Sequence, residues 1–282
     1  MPVERVYRGA EHPQVSVIIP SWDGRREGHL PRLLAQLEGQ SLRAIEVILV
    51  VGESPNGRAR NLGAEAALGE FLVFIDDDAS LGDDQVLEGL IAPLREHEDI
   101  GMTGVSQLVP PDAGFFQRCC ARQIPRAISP VVDQLQDSDM VTTLCLALRR
   151  DLFERIGRMN DRLLAGVDPD LRHRVRQAGL RVAVVPRAWA YHPAPVNLGA
   201  LVRYGFKKGA FTAWQYRFAR ELMYDCPEGH VGQFVAQTSL PYRVLRKAAR
   251  FAGQLVMLRP LGLIYEISYL SGYLHGMLRR WT

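Results

Sequence analysis

Short apolar runs alternate with amphipathic stretches through the first hundred residues of the chain, and each apolar run stops at a polar break. Val15–Ile19 is rich in β-branched residues and closed by Pro20, while Ile45–Val51 and Phe71–Ile75 are also predominantly apolar. Runs of this length and character predict strands buried on both faces. Between them, Leu30, Leu33, Leu34 and Leu37 recur at helical spacing within His29–Gln40, an Ala-rich stretch covers Arg58–Leu68, and a third helix is predicted over Asp83–Glu96. Three strand–helix units in so short a stretch predict a parallel sheet with helices on both faces, since parallel neighbours need a crossover. Ligands of such sheets lie beyond the carboxyl ends of the strands, where Ser21–Asp23, Gly52–Asn56 and Asp76–Asp78 all fall.

The rhythm then changes. Strands are predicted over Ile100–Leu108, Val141–Leu148 and Arg181–Val185, a short helix over Arg149–Ile156 and another over Asp168–Gly179, with Gly179 as its C-cap. Pro110–Ile124 fits neither period clearly, and no internal repeat is evident.

Composition places the chain among globular proteins: 282 residues, 47% hydrophobic and 23% charged, enough for one large α/β domain or for a domain with an appendage. The net charge of +3 conceals an asymmetry, because residues 196–282 carry 12 Lys and Arg against 4 Asp and Glu, a surplus of eight, which leaves the first 195 residues negative by five. An acidic front suits metal binding, and a basic tail interleaved with Trp, Tyr, Phe and Leu suits an anionic membrane surface. No recognised nucleic-acid module accompanies the charge, so nucleic acid is not expected as a partner. Within the tail, Phe251–Leu278 is apolar but interrupted by Arg259, Pro260 and Glu266, which makes it a poor bilayer span and predicts interfacial helices instead. The competing reading packs these helices on the front of the chain or uses them as a homo-oligomer contact. The first residues lack the apolar core of an export signal, and Cys119, Cys120, Cys145 and Cys226 show no CxxC pairing, so a reducing cytoplasmic setting is expected.

The chemistry concentrates where Phe71–Ile75 meets Asp76, Asp77 and Asp78. Adjacent carboxylates repel one another and are costly beside a core, and a divalent cation is the simplest compensation.

Taken together, the segments VSVIIPS (15–21), ARNLGA (59–64), GEFLVFIDDD (69–78), RRDLFERIG (149–157), DPDL (168–171), GLRVAVVP (179–186) and Tyr191-His192 resemble the family 2 glycosyltransferases in order and spacing, from about Val15 to Pro193. The resemblance implies a GT-A fold: a Rossmann-like, mostly parallel α/β sheet flanked by helices. It also implies an inverting transfer from a nucleotide-diphosphate sugar, with Mg²⁺ or Mn²⁺ neutralising the leaving diphosphate. The expected organisation is a catalytic domain over residues 1–195 and a basic helical extension over 196–282.

Residue by residue, the resemblance makes Asp76 and Asp78 the metal ligands and donor anchor, with Asp77 a further donor contact. His192 becomes a third ligand, for which neutral imidazole is suited. Asp168 becomes the base that takes the acceptor proton, lying near the N-cap of its helix with Pro169 in the first turn and Asp170 the runner-up. Pro20, Ser21 and Asp23 match the segment that frames the nucleobase, and Arg60 matches a basic position that approaches the nucleotide or its diphosphate. The chain departs from the family in two places: Val167 stands where an acid is usual, and Glu53 takes the place of the customary Asp after the second strand. The acceptor is expected to be a glycan or a lipid-linked molecule of the cell surface, met at the inner face of the membrane. A nucleotidyltransferase and a catalytically silent sugar-nucleotide-binding scaffold are the alternatives.

Overall fold

A computed structural model describes residues 2–163, 166–224 and 234–279, so Cys226 lies outside the described residues. In chain order the strands are β1 (Val3–Arg8), β2 (Val15–Ser21), β3 (Ile45–Val51), β4 (Phe71–Ile75), β5 (Ser80–Leu81), β6 (Ile100–Leu108), β7 (Gln136–Asp137), β8 (Cys145–Arg149) and β9 (Arg181–Tyr191). The helices are α1 (His29–Glu38), α2 (Asn56–Ala66), α3 (Val86–Glu96), α4 (Phe115–Gln123), α5 (Arg150–Arg155), α6 (Val167–Gln177), α7 (Leu198–Phe218), α8 (Leu240–Val256) and α9 (Pro260–Leu278). The chain packs as two units: among the described residues, one contains 2–108, 129–163 and 166–192, and the other 109–128, 193–224 and 234–279.

The first unit is built on one sheet in the order β1-β3-β2-β4-β8-β6-β9-β5, with β7 pairing β9 off that path. It is parallel at β3-β2-β4, where the three strand–helix units run, and again between β6 and β9. Elsewhere it is antiparallel: β1 on β3, β8 on β4 and β6, and the two short strands on β9. Both faces of the central strands are covered, as unbroken apolar runs require. Val15, Val17, Ile19, Val47, Leu49, Val73 and Ile75 pack with Leu30, Leu33 and Leu37 of α1 and Leu87, Leu90, Ile91 and Leu94 of α3. On the opposite face α2 comes so close that a β-carbon on Gly63 would collide with Ile18 Cγ2, and Phe74 packs its ring 5.3 Å from that of Phe153 in α5.

Two elements extend beyond the sequence reading. Val3–Arg8 forms an edge strand where none is predicted, and β9 runs on past Val185 to Tyr191. Pro186 cannot donate to a ladder, so strand pairing with β6 is interrupted between Gly104 and Ser106 and then resumes as Ser106↔Trp189. The second half of β9 consequently pairs with β5, Ser80 opposite Tyr191 and Leu81 opposite Ala190.

The second unit is helical, and the ambiguous Pro110–Ile124 stretch contributes α4 to it. Helices α7 and α9 approach at glycines: a β-carbon on Gly209 would meet the Tyr269 carbonyl, and one on Gly272 the Phe206 carbonyl. Gln123 Oε1 accepts from Leu261 N and Gly262 N at 3.0 and 3.1 Å, supplying partners for amides that the first turn of α9 leaves open. Glu266 of α9 is buried and paired with Lys247 Nζ at 2.6 Å and Arg250 Nη1 at 3.6 Å of α8. This places the basic side of α8 against α9. Leu240, Val244, Leu245, Phe251, Leu255 and Val256 of α8 are exposed instead, as are Ile267, Leu270, Leu274 and Leu278 of α9. Among the described residues no helix is long and apolar enough to cross a membrane.

Candidate active site

The carboxyl end of β4 delivers Asp76, Asp77 and Asp78 into a turn that the Ala79 N–H closes on the Asp76 carbonyl at 3.0 Å. Because β2 runs parallel beside β4, Ser21 at its end reaches the same place, and its hydroxyl donates to Asp77 Oδ2 at 2.6 Å. The pairing of β5 with β9 then brings the residue after Tyr191 alongside the triplet, so His192 Nε2 stands 3.6 Å from Asp78 Oδ1. Ligand atoms of Asp76, Asp78 and His192 lie within 4.8 Å of one another. Two carboxylate oxygens and an imidazole nitrogen at that separation form a donor set for a divalent cation of the Mg²⁺ or Mn²⁺ kind.

The electrostatics show why a cation is wanted. Burial is the main cause that pushes the Asp76 carboxyl up to about 7; the Arg60 guanidinium pulls it back, and the charges of Asp168, Asp78 and Asp77 push it further up. Burial also raises Asp77, against the hydrogen bond from Ser21 and the charge of Arg26. These carboxyls therefore take up a proton more readily than free ones, and a bound cation would favour their charged form.

Arg60 is only 1% exposed and lies beneath the triplet with Nη2 2.5 Å from Asp76 Oδ1, so its charge supports a carboxylate. Its neighbours in the same helical turn have separate tasks. Asn61 donates from Nδ2 to the Met159 carbonyl at 2.9 Å and accepts the Met159 N–H at 3.0 Å, while Gly63 permits the close approach to β2.

The helix predicted to begin at Asp168 begins one residue earlier, with Gly166 as N-cap in the left-handed region at φ 81°. Asp168 therefore sits inside the first turn and makes no side-chain cap bond. Its Oδ1 is buried with no hydrogen-bond partner, and its charge acts on Asp76. A buried carboxylate oxygen without a donor is unusual and marks a position that a ligand hydroxyl can fill. Asp170, by contrast, is engaged by Arg174 at 2.6 and 3.0 Å.

The remaining candidates lie around the end of β2 and in the next loop. Pro20 is buried within the strand. Asp23 Oδ1 accepts from Arg25 N and Arg26 N at 2.9 and 2.8 Å, which holds its carboxyl below the usual range and makes it the brace of a turn. Trp22, between Ser21 and Asp23, is 70% exposed. Glu53 pairs with Arg58 at 3.2 Å and does not join the acidic cluster. The residue the sequence reading missed is Arg26, whose Nη2 lies 2.8 Å from Asp78 Oδ2 and whose Nε lies 3.4 Å from Asp77 Oδ1. Its only signal is a basic pair in the loop after the first strand.

The family described as Glycosyltransferase like family 2 matches residues 3–208. No curated protein matches the chain. Among solved structures, the mannosyltransferase PcManGT from Pyrobaculum calidifontis, in complex with GDP-Man and Mn²⁺, superposes with a TM-score of 0.62 at 14% identity, over 99% of this chain and 91% of that one. The S. aureus TarS 1-349 structure gives a TM-score of 0.46 at 16% identity over 94% and 90% of the two chains. GalNAc-T7 with UDP, GalNAc and Mn²⁺ gives 0.49 at 13% identity over 73% and 52%.

Proposed function

The chain belongs to glycosyltransferase family 2 and has the GT-A fold, and from that premise we propose that it is a metal-dependent, inverting enzyme moving a sugar from a nucleotide diphosphate to an acceptor hydroxyl. The observation that supports this most directly is a juxtaposition. Three metal-competent ligand atoms cluster within 4.8 Å, and Asp168 beside them presents a buried oxygen without a donor. PcManGT, of the same fold, takes GDP-Man and Mn²⁺.

Asp76, Asp78 and His192 would hold the ion, which when bound supplies Lewis-acid neutralisation of the departing diphosphate. Ser21 orients Asp77 toward the donor, and the exposed indole of Trp22 offers a stacking face for a ring. Asp168 accepts the proton of the acceptor hydroxyl. As the acceptor oxygen forms its bond to the anomeric carbon, the bond to the diphosphate oxygen breaks and its electrons leave with the diphosphate, inverting the configuration.

The acceptor is a glycan or lipid-linked molecule met at the inner face of the cell membrane. The support is the inverted amphipathicity of α8, whose Lys247 and Arg250 pair with Glu266 while Leu245, Leu255 and Val256 are exposed.

A thermal-shift series with UDP-, GDP- and dTDP-sugars, each with and without Mn²⁺ or Mg²⁺, tests the donor reading, because a ligand that binds only the native state raises its stability. One nucleotide class is expected to stabilise the protein only when metal is present. Equal stabilisation with and without metal, or none with any donor, rejects the metal-dependent mechanism.

A further inference from the structure

We propose that Arg26 is a resident counter-cation that is exchanged on loading: it neutralises Asp77 and Asp78 in the empty site, then yields Asp78 to the divalent ion and turns its guanidinium onto the donor diphosphate. The second half of this inference rests on the donor reading above.

Arg60 and Arg26 both pair with the triplet, and they differ in freedom. Arg60 is 1% exposed, anchored in α2, and also donates to the Asn56 carbonyl at 3.4 Å. The Arg26 side chain is 50% exposed and sits in a turn, with Nη2 on Asp78 Oδ2 at 2.8 Å and Nε 3.4 Å from Asp77 Oδ1. Asp78 is also a member of the metal-competent cluster, so Arg26 occupies an oxygen of a residue that the ion needs.

The backbone of the turn is held away from its preferred region. Arg26 and Glu27 are consecutive non-glycine residues at φ 44° and 52°, bracketed by Gly24 at 68° and Gly28 at 90°. Left-handed conformations at such residues are disfavoured and persist only where contacts favour them. Here those contacts are the Asp23 brace on the Arg25 and Arg26 amides and the two carboxylates themselves. An ion on Asp78 shares its carboxylate with Arg26, whose contact is on Oδ2 while His192 faces Oδ1, and its double charge weakens the hold of that carboxylate on the guanidinium. The guanidinium is then left beside the place where a diphosphate must lie, and its planar fork matches phosphate oxygens.

A residue with both tasks gives opposite changes in two affinities when it is removed. The test titrates wild type, Arg26→Ala and Arg26→Lys with Mn²⁺ alone, followed by electron paramagnetic resonance of the free ion, and then with UDP or GDP at saturating Mn²⁺. Arg26→Ala should bind Mn²⁺ alone roughly three- to tenfold tighter, the size expected from deleting a half-exposed competing charge. It should bind the nucleoside diphosphate about tenfold more weakly. Arg26→Lys should keep Mn²⁺ affinity near that of the wild type and recover only part of the nucleotide affinity. Unchanged or weaker Mn²⁺ binding in Arg26→Ala overturns the exchange, and unchanged nucleotide affinity overturns the diphosphate role. If the wild type binds Mn²⁺ but neither nucleotide, the donor reading fails, while the Mn²⁺ comparison still decides whether Arg26 competes.

Discussion

Asn61 of α2 holds Met159 at two points, donating to its carbonyl at 2.9 Å and accepting from its amide at 3.0 Å. The side-chain amide thereby ties the Met159 backbone to α2, ahead of α6 in the chain, where Asp168 lies. Asn61→Ala should lower stability by about 1–3 kcal/mol, because both Met159 backbone groups lose their partner. It should also slow transfer more than it weakens donor binding. Urea melts, with kcat and nucleotide Kd measured in parallel, check this.

The two carboxylate roles are separable. Asp78→Ala should abolish the metal-dependent stabilisation by nucleotide, whereas Asp168→Asn should leave it nearly intact and lower kcat by about 10³-fold, the scale of a lost general base. Normal turnover in Asp168→Asn on a confirmed acceptor would show that the base is elsewhere.

Arg60→Met keeps the side-chain bulk and removes the cation under Asp76. Breaking a fully buried ion pair costs about 3–5 kcal/mol. The Asp76 side chain is 29% exposed, so the loss should fall at or below the lower end of that range. Saturating Mn²⁺ should recover part of it by giving Asp76 another cation, which melting curves with and without the ion will show.

Gly63→Ala should destabilise by roughly 1–3 kcal/mol through overpacking, since the new methyl collides with Ile18 Cγ2 on the sheet. Trimming Ile18 to Val removes only Cδ1 and keeps Cγ2, so it should not relieve the clash, whereas Ile18→Ala in the same protein removes Cγ2 and should relieve it. A double-mutant cycle of midpoints with each partner checks this.

For the second unit, Leu245→Glu with Val256→Glu should eliminate flotation with anionic vesicles at low salt while leaving the melting temperature within a few degrees. Both side chains are largely exposed, at 67% and 81%, and a change there disturbs little packing. Persistent flotation of the double variant would remove α8 from membrane contact.

Much of this architecture was legible in the sequence for physical reasons that apply residue by residue. The apolar runs of β2, β3 and β4 are buried on both faces, and the polar breaks at Ser21 and Asp76 are their carboxyl ends, so the pattern located the acidic triplet before any side chain was placed. The edge strand β1 was missed because half of its positions remain exposed to solvent and carry charge, which erases the apolar signal. The extension of β9 was missed because Pro186 is a breaker in most strands and is tolerated here by a break in register. The pairing of Arg60 with Asp76 gave no signal, because helical spacing alone does not show which carboxylate lies beneath the helix. Arg26 gave almost no signal, since its role depends on a left-handed turn that aims a loop residue back at the triplet.

The way His192 reaches its place limits how this site can vary. Its position beside Asp78 is set by the antiparallel register of Ser80 with Tyr191, and strand pairing alternates sides with every residue. A single inserted residue between Asp78 and Ser80 would turn the imidazole away from the carboxylates. Loops of the excursion from Gly82 to Ala188 that carry neither core strands nor Asp168 can change length without disturbing this register, provided β5 and β9 still meet in step. The third ligand is therefore specified by a short residue count at each end of a long detour, and a deletion scan should find the site intolerant at both of those ends.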